Sequence, residues 1–265
     1  MSTAIALTIA GSDSGGGAGI QADLKTFSAL GVFGTSAITA ITAQNTLAVT
    51  AIEGISQATI RAQIDAVFAD IRPQAVKIGM LGNAETINTV AEALREHQPK
   101  YIVLDPVMIA KSGDALLEQS AITALKKQLI PLASIITPNI PEAAVLLKQN
   151  IDNEADMQSA AQALLDMGCQ AVLLKGGHLK DAQSRDYLTD TLTQQWFSSE
   201  RHPTRNTHGT GCTLSAAIAA GLSKGLPLVE AITEAKAYID AAIRAADSLN
   251  IGSGHGPVHH FHRWW

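Results

Sequence analysis

Residues 206–217 place the most reactive kind of side chain in this sequence beside a glycine turn. Gly209 and Gly211 bracket Thr210, Cys212 follows at once, and small apolar residues over 214–222 read as a helix. A glycine turn opening a helix leaves backbone N–H groups without intrahelical partners and aims the positive end of the helix dipole at one point. Such a point binds anions, phosphate above all. The same field favours a thiolate, which makes Cys212 a candidate base or nucleophile. The plainer alternative is a tight turn that needs glycine for φ > 0, with Cys212 as a small buried hydrophobe. The stretch alone leaves both open.

Other polar groups stand directly after apolar runs. A glycine-rich loop over residues 11–19 follows the run 4–10. Its Gly15-x-Gly17 spacing is not a dinucleotide fingerprint, because the next run, 35–43, ends in Gln44-Asn45-Thr46 with no acid. Asp23 is either an early acid of the first helix complementing its dipole or a group facing a ligand held by the loop. Gln44 is uncharged and can give and accept a hydrogen bond with a heteroaromatic ring. Met80 lies in a glycine-flanked turn after 75–78, Asp105 tips the run 101–105, and Val107 follows it. Residues 110–114 are polar and read as flexible, a candidate lid. Asn139 and Glu142 stand three apart at a strand-to-helix junction, where an amide and a carboxylate suit Mg²⁺, or simply begin a helix. Lys175 tips the run 171–174 as either a snorkelling surface residue or a phosphate ligand.

The elements that must position these groups follow from periodicity. Short apolar runs alternate with helical segments at 20–30, 56–70, 83–97, 153–167 and 228–249, while 186–192 and 193–198 read as an edge hairpin. No repeat or linker interrupts the alternation, so a single domain spanning 1–265 is expected, with a mostly parallel sheet between two helical layers. In such sheets ligands bind beyond the carboxyl ends of the strands, which is where the 11–19 loop, Gln44, Met80, Asp105, Asn139, Glu142 and Lys175 fall. The composition agrees: 46% hydrophobic residues and few aromatics, as for helices packed on a parallel sheet. A net charge of −5 gives no bulk attraction for nucleic acid or anionic membrane. Two cysteines without a CxxC argue against a disulfide scaffold and fit a reducing cytoplasm; Cys169 reads as structural. The tail histidines, among them His255, His259 and His260, lack a metal-site spacing.

An anion hole, a possible magnesium pair, a lysine, a base and an amide for a ring are the parts needed to transfer phosphoryl from a nucleotide to a hydroxyl. The strings Ala10-Gly-Ser-Asp-Ser-Gly-Gly-Gly-Ala-Gly-Ile-Gln-Ala-Asp23, Ala43-Gln-Asn-Thr46, Thr137-Pro-Asn-Ile-Pro-Glu142, Gly209-Thr-Gly-Cys-Thr-Leu-Ser215 and Gly254-His-Gly-Pro-Val-His-His-Phe261 closely resemble one family. It is the hydroxymethylpyrimidine/phosphomethylpyrimidine kinases of thiamine biosynthesis, within the ribokinase-like α/β/α fold. The resemblance covers essentially the whole chain. It implies ATP-dependent phosphorylation of 4-amino-5-hydroxymethyl-2-methylpyrimidine to its monophosphate and then its diphosphate, with Mg²⁺, in a cytoplasmic homodimer. Gln44 would bond the pyrimidine, with Gly11, Asp23, Met80 and Val107 around it. The turn from Gly209 through Thr210 and Gly211 to Cys212 would stabilise the transferring phosphoryl group. Lys175 and Asp105 would act on the nucleotide phosphates and metal, and Asn139 with Glu142 would help place magnesium.

Most ribokinase-like members end this turn in aspartate, so Cys212 is a departure. Pyridoxal kinase is the nearest rival reading, and Gln44 speaks for the aminopyrimidine. A pyrimidine sensor would need only the ring pocket. A cysteine hydrolase would need a histidine on the thiol, and His208 reads as lying across the glycine turn from it.

Overall fold

The computed structural model describes residues 3–108, 118–179 and 183–265, so the candidate lid at 110–114 lies outside the described residues. Nine strands among them form one continuous sheet in the order β3-β2-β1-β4-β5-β6-β7-β8-β9. In chain order these are β1 (Ile5–Asp13), β2 (Phe33–Gln44), β3 (Val49–Gly54), β4 (Ala75–Ile78), β5 (Tyr101–Leu104), β6 (Ile135–Ile136), β7 (Ala171–Leu174), β8 (Gln183–Asp190) and β9 (Gln194–Glu200). The run from β2 to β7 is parallel. Antiparallel β3 closes one side, and the β8–β9 hairpin closes the other.

The helices are α1 (Gly19–Ala29), α2 (Gln57–Asp70), α3 (Ala84–His97), α4 (Gln119–Ala124), α5 (Ile140–Leu147), α6 (Glu154–Leu165), α7 (Thr210–Ser223) and α8 (Leu228–Arg244). Strand side chains alternate between the two layers, as a period of two requires. Leu7, Val76, Ile78, Leu104, Ile136 and Val172 join residues of α2, α3, α5 and α6 in one core. Ala6, Ala75, Val103, Ile135, Ala171 and Leu173 join α1, α7 and α8 in the other.

That second core decides where the chemistry sits. Every residue of α7 from Thr213 to Ser223 is buried, and most are alanine, glycine or serine. Small side chains on the helix meet Ala6, Ala75 and Ala171 on the sheet. The backbone of α7 therefore lies close to the central strands, with its first turn at their carboxyl tips.

Several boundaries differ from the sequence reading. Strand β1 runs on through Gly11, Ser12 and Asp13, with a register shift against β2 between Ala10 and Ser12. The outer end of β2 exposes Ile41 and Ala43 and is not buried on both faces. Strand β3 has every residue exposed, so no burial pattern announces it. Helix α4 had no reading either, and α8 stops at Arg244 before a short 3₁₀ turn, Ala246–Ser248.

Ala219 is fully buried. Ala219→Leu is expected to destabilise the protein by ~1–3 kcal/mol in urea denaturation through overpacking. A change below a few tenths would contradict this close-contact account of α7.

Candidate active site

The parallel strands end side by side, and their tips carry the polar groups. Asp13 ends β1 and Gln44 ends β2, Gly79 and Met80 follow β4, Asp105 follows β5, Asn139 lies beyond β6, and Lys175 follows β7. Helix α7 begins above them. Its N-cap, Gly209, has φ +80°, and no side chain caps the helix. A Cβ on Gly209 would lie 1.8 Å from the carbonyl oxygen of Gly17, so only glycine lets the two glycine turns meet. A Cβ on Gly211 would stand 3.3 Å from Lys175 Nζ and 3.5 Å from Asp105 Oδ2. The open N–H end of α7, a lysine and an aspartate thus share one point.

Lys175 Nζ donates to Asp105 Oδ1 at 2.9 Å, Thr137 Oγ1 donates to the same oxygen at 3.1 Å, and Ser215 Oγ reaches Oδ2 at 3.4 Å. Burial opposes the charge on Asp105, but the ammonium groups of Lys175 and Lys77 outweigh it and hold the carboxyl below its ordinary value. Burial likewise opposes the charge on Lys175, and Asp105 with Glu142 raises it again.

Asn139 and Glu142 form a reciprocal capping box that starts α5. The Glu142 N–H donates to Asn139 Oδ1 at 2.9 Å, and the Asn139 N–H donates to Glu142 Oε2 at 2.7 Å. The helix-start alternative is therefore what these side chains do here, and Asn139 Oδ1 is already engaged. Burial pushes the Glu142 carboxyl up to about 7; Lys175 opposes this and Asp105 adds to it.

Cys212 is half-buried in the first turn of α7. Burial pushes its thiol above the ordinary value, Asp23 and Asp105 push the same way, and Lys77 with the Gly19 N–H pulls against them. The lowering expected from the helix N-terminus does not prevail: desolvation exceeds it, and the net shift of the thiol is upward. Asp23 is corrected as well. It points into the core, where Oδ2 accepts from Thr8 Oγ1 at 2.6 Å and from Lys77 Nζ at 2.8 Å, while buried Oδ1 has no partner. It neither complements the dipole nor faces the open cleft. Burial raises its pKa against the pull of Lys77, and the carboxylates of Asp23 and Asp105 hold Lys77 charged in spite of burial. Lys77 went unread in the sequence. Its signal was a lone cation in the apolar four-residue strand β4.

Gly11 lets Met80 lie across the tip of β1, since a Cβ there would sit 2.5 Å from Met80 Cε. Thr39 Oγ1 fixes Met80 by donating to its carbonyl at 2.8 Å. Val107 lines a small cavity with Asp105, Gly79 and Leu81. Gln44 is held through its backbone, which gives to and accepts from Ser14 Oγ at 2.8 and 2.7 Å. Asp13, which was given no role from the sequence, and His208, read only as lying across the glycine turn from Cys212, join this side. Asp13 accepts from the N–H groups of Gly15, Gly17 and Ala18 and from His208 Nε2 at 2.9 Å. Burial works against its charge, but His208 and these amides hold the carboxyl below the usual range.

The tail packs onto the site from behind. The His208 N–H donates to the Gly256 carbonyl, and the Val258 N–H donates to the His208 carbonyl. His260 lies 3.0 Å from Thr213 Oγ1, and burial pushes it down to about 3. Cys169 is buried, with its thiol raised to about 12 by that burial.

Glu142 has a consequence for stability. Between about 4.5 and 7 the unfolded chain releases this proton and the folded chain keeps it, so stability falls as pH rises through that window. Glu142→Gln keeps the cap and should flatten the decline, read as urea midpoints at several pH values in chelator-treated buffer. An unchanged slope would refute the assignment.

The family model for phosphomethylpyrimidine kinase matches residues 13–259. A hydroxymethylpyrimidine/phosphomethylpyrimidine kinase of Rhizobium meliloti (strain 1021) is 60% identical over 99% of both chains. The thiamine biosynthesis bifunctional protein ThiED of Geobacter sulfurreducens is 53% identical over 96% of this chain and 51% of its own length. Among solved structures, an ADP complex of Bacillus subtilis pyridoxal kinase superposes with a TM-score of 0.92 at 41% identity, covering all of both chains. With a family match across most of its length and a relative 60% identical over nearly the whole chain, the chain belongs to the phosphomethylpyrimidine kinase family.

Proposed function

We propose that this chain, acting as one catalytic unit, phosphorylates 4-amino-5-hydroxymethyl-2-methylpyrimidine with ATP. It then phosphorylates the resulting monophosphate to the diphosphate, on the route to thiamine diphosphate. The observation that carries this is the meeting of the open N-terminus of α7 with Lys175 and Asp105 beside the Gly17–Gly209 contact. Backbone N–H groups and an ammonium fixed at one point stabilise the charge that spreads over a transferring phosphoryl group.

Gln44 reads the ring, with Gly11, Met80 and Val107 around it, and Asp23 supports this floor through Lys77. Thr210, Gly211 and Lys175 face the phosphates. In the first step the substrate hydroxyl oxygen bonds to the γ-phosphorus, the bond from that phosphorus to ADP breaks, and the hydroxyl proton passes to the Cys212 thiolate, formed beforehand by loss of the thiol proton to solvent. In the second step the acceptor is an ionised phosphate and releases no proton. Magnesium fits the donor set: two buried carboxylates, Asp105 and Glu142, flank the Lys175 ammonium beside the phosphate point. Mg²⁺ takes one or two carboxylates together with waters and phosphates. Asp105 and Glu142 would hold it with Asn139 supporting Glu142, and when bound it neutralises phosphate charge.

The first test offers ATP and Mg²⁺ with hydroxymethylpyrimidine, its monophosphate and pyridoxal, and identifies products by mass. Turnover of both pyrimidines well above pyridoxal is expected; a preference for pyridoxal would move the assignment to pyridoxal kinase. Because burial raises the thiol above its ordinary value, the rate of the first step should keep climbing as pH rises into the alkaline range. The second step should be nearly flat over the same range. Cys212→Ala should cut the first step by ~10²–10⁴-fold and the second by far less. Equal losses would remove Cys212 as the base.

A homodimer in the cytoplasm completes the reading. The ribbon of β2 and β3 exposes Ile41 on one face and Ile52 on the other, apolar groups that a second copy wrapped over this edge would bury. Ile52→Asp is expected to yield monomers by light scattering, and an unchanged mass would locate the interface elsewhere.

A further inference from the structure

The Gln44 amide is held between two groups that each dictate which way round it lies. On one side, its Nε2 is 3.3 Å from His208 Nε2. On the other, its Oε1 is 3.2 Å from Thr42 Oγ1. The two ends of an amide have nearly the same shape, so the surrounding donors and acceptors choose between the two orientations. His208 Nε2 is also 2.9 Å from Asp13 Oδ2, an oxygen that already accepts from two backbone amides. Beside an ionised carboxylate that nitrogen must carry its proton, and a protonated ring nitrogen has no lone pair to accept from an amide N–H. Thr42 has a single hydroxyl proton, which it gives to the Ser12 carbonyl at 2.7 Å. Towards Gln44 it therefore presents a lone pair.

Both neighbours demand the same arrangement. We infer that Asp13, His208 and Thr42 lock the Gln44 amide with its carbonyl towards His208 and its NH₂ towards Thr42, and that this lock sets selectivity for a 4-aminopyrimidine over a 4-oxopyrimidine. The inference rests on Gln44 reading the ring, as proposed above. One N–H and one carbonyl lone pair remain free, in fixed order. An aminopyrimidine offers a ring nitrogen that accepts beside an amine that donates, and it pairs with that order. A 4-oxopyrimidine offers N–H beside C=O and would meet donor with donor and acceptor with acceptor, a mismatch that leaves buried polar groups unpaired. An amide free to turn would accept both. Asp13, His208 and Thr42 are thus positioning residues for selectivity, and the ring nitrogen of the substrate lies on the Thr42 side.

The experiment compares kcat/KM for hydroxymethylpyrimidine and its 4-oxo analogue in the full-length protein, in wild type, His208→Ala and Thr42→Val. Each variant should lower the amino/oxo ratio by ~10-fold or more. The change should appear in the KM of the pyrimidine, with the KM of ATP unaltered. If one variant fails to fold by circular dichroism, the other carries the comparison. In parallel, ¹⁵N–¹H correlation of the histidine rings should show Nε2 of His208 protonated. An unchanged ratio in a folded variant, or a bare Nε2, would overturn the lock. Absence of any pyrimidine turnover in wild type would sink the proposed function, while the ring spectrum would still decide the orientation of the amide.

Discussion

Two carbonyl-to-glycine distances govern the molecule. The position a Cβ would take on Gly209 is 1.8 Å from the Gly17 oxygen, and on Gly19 it is 2.3 Å from the Gly11 oxygen. Each would force the backbone apart if any side chain were added. Together they press the loop after β1, the start of α1 and the start of α7 into a single body. Around that body the sheet tips supply charge, and the alanine-rich packing of α7 keeps its first turn level with them. Backbone dipoles placed this way need little reorganisation when charge develops, which is the form of electrostatic assistance that phosphoryl transfer uses most.

Beneath this body lies a layer of buried charge. Lys77 and Asp23 are fully enclosed, Asp105 and Lys175 nearly so, and Cys212 sits among them. A buried ion pair contributes little net stability when set against hydrophobic residues of similar volume, yet losing one partner leaves an expensive lone charge. The arrangement therefore makes sense as a fixed electrostatic floor. It also explains why the thiol is raised rather than lowered: two carboxylates and desolvation act on it together, against one lysine and one amide.

Much of this was legible in the residue order, for identifiable reasons. Strands β4 and β7 and helix α3 appear at the spans their periodicity gave, because strong apolar runs and an Asn83 cap leave few alternatives. The tips were readable because a parallel sheet forces them together. Asn139 and Glu142 were placed correctly, but the engagement of Asn139 in a cap depends on rotamers that spacing does not specify. Strand β3 escaped notice because an exposed edge carries no burial pattern. The pairings of Lys77 with Asp23 and of Asp13 with His208 escaped because the partners are distant in sequence: 54 positions separate Lys77 from Asp23, and 195 separate Asp13 from His208. The sign of the Cys212 shift was out of reach for the same reason, since it depends on which charges the fold brings near.

The contact between Asp13 and His208 also bears on how the chain acquires its activity. Chain entropy opposes closing a loop of that span, so the contact depends on the structure built between its ends. Residues 256–258, which clasp His208 on both sides, emerge from the ribosome later still. The contact is therefore absent from partly folded and partly synthesised forms, and it forms only once the first strand and residues 256–258 have come together.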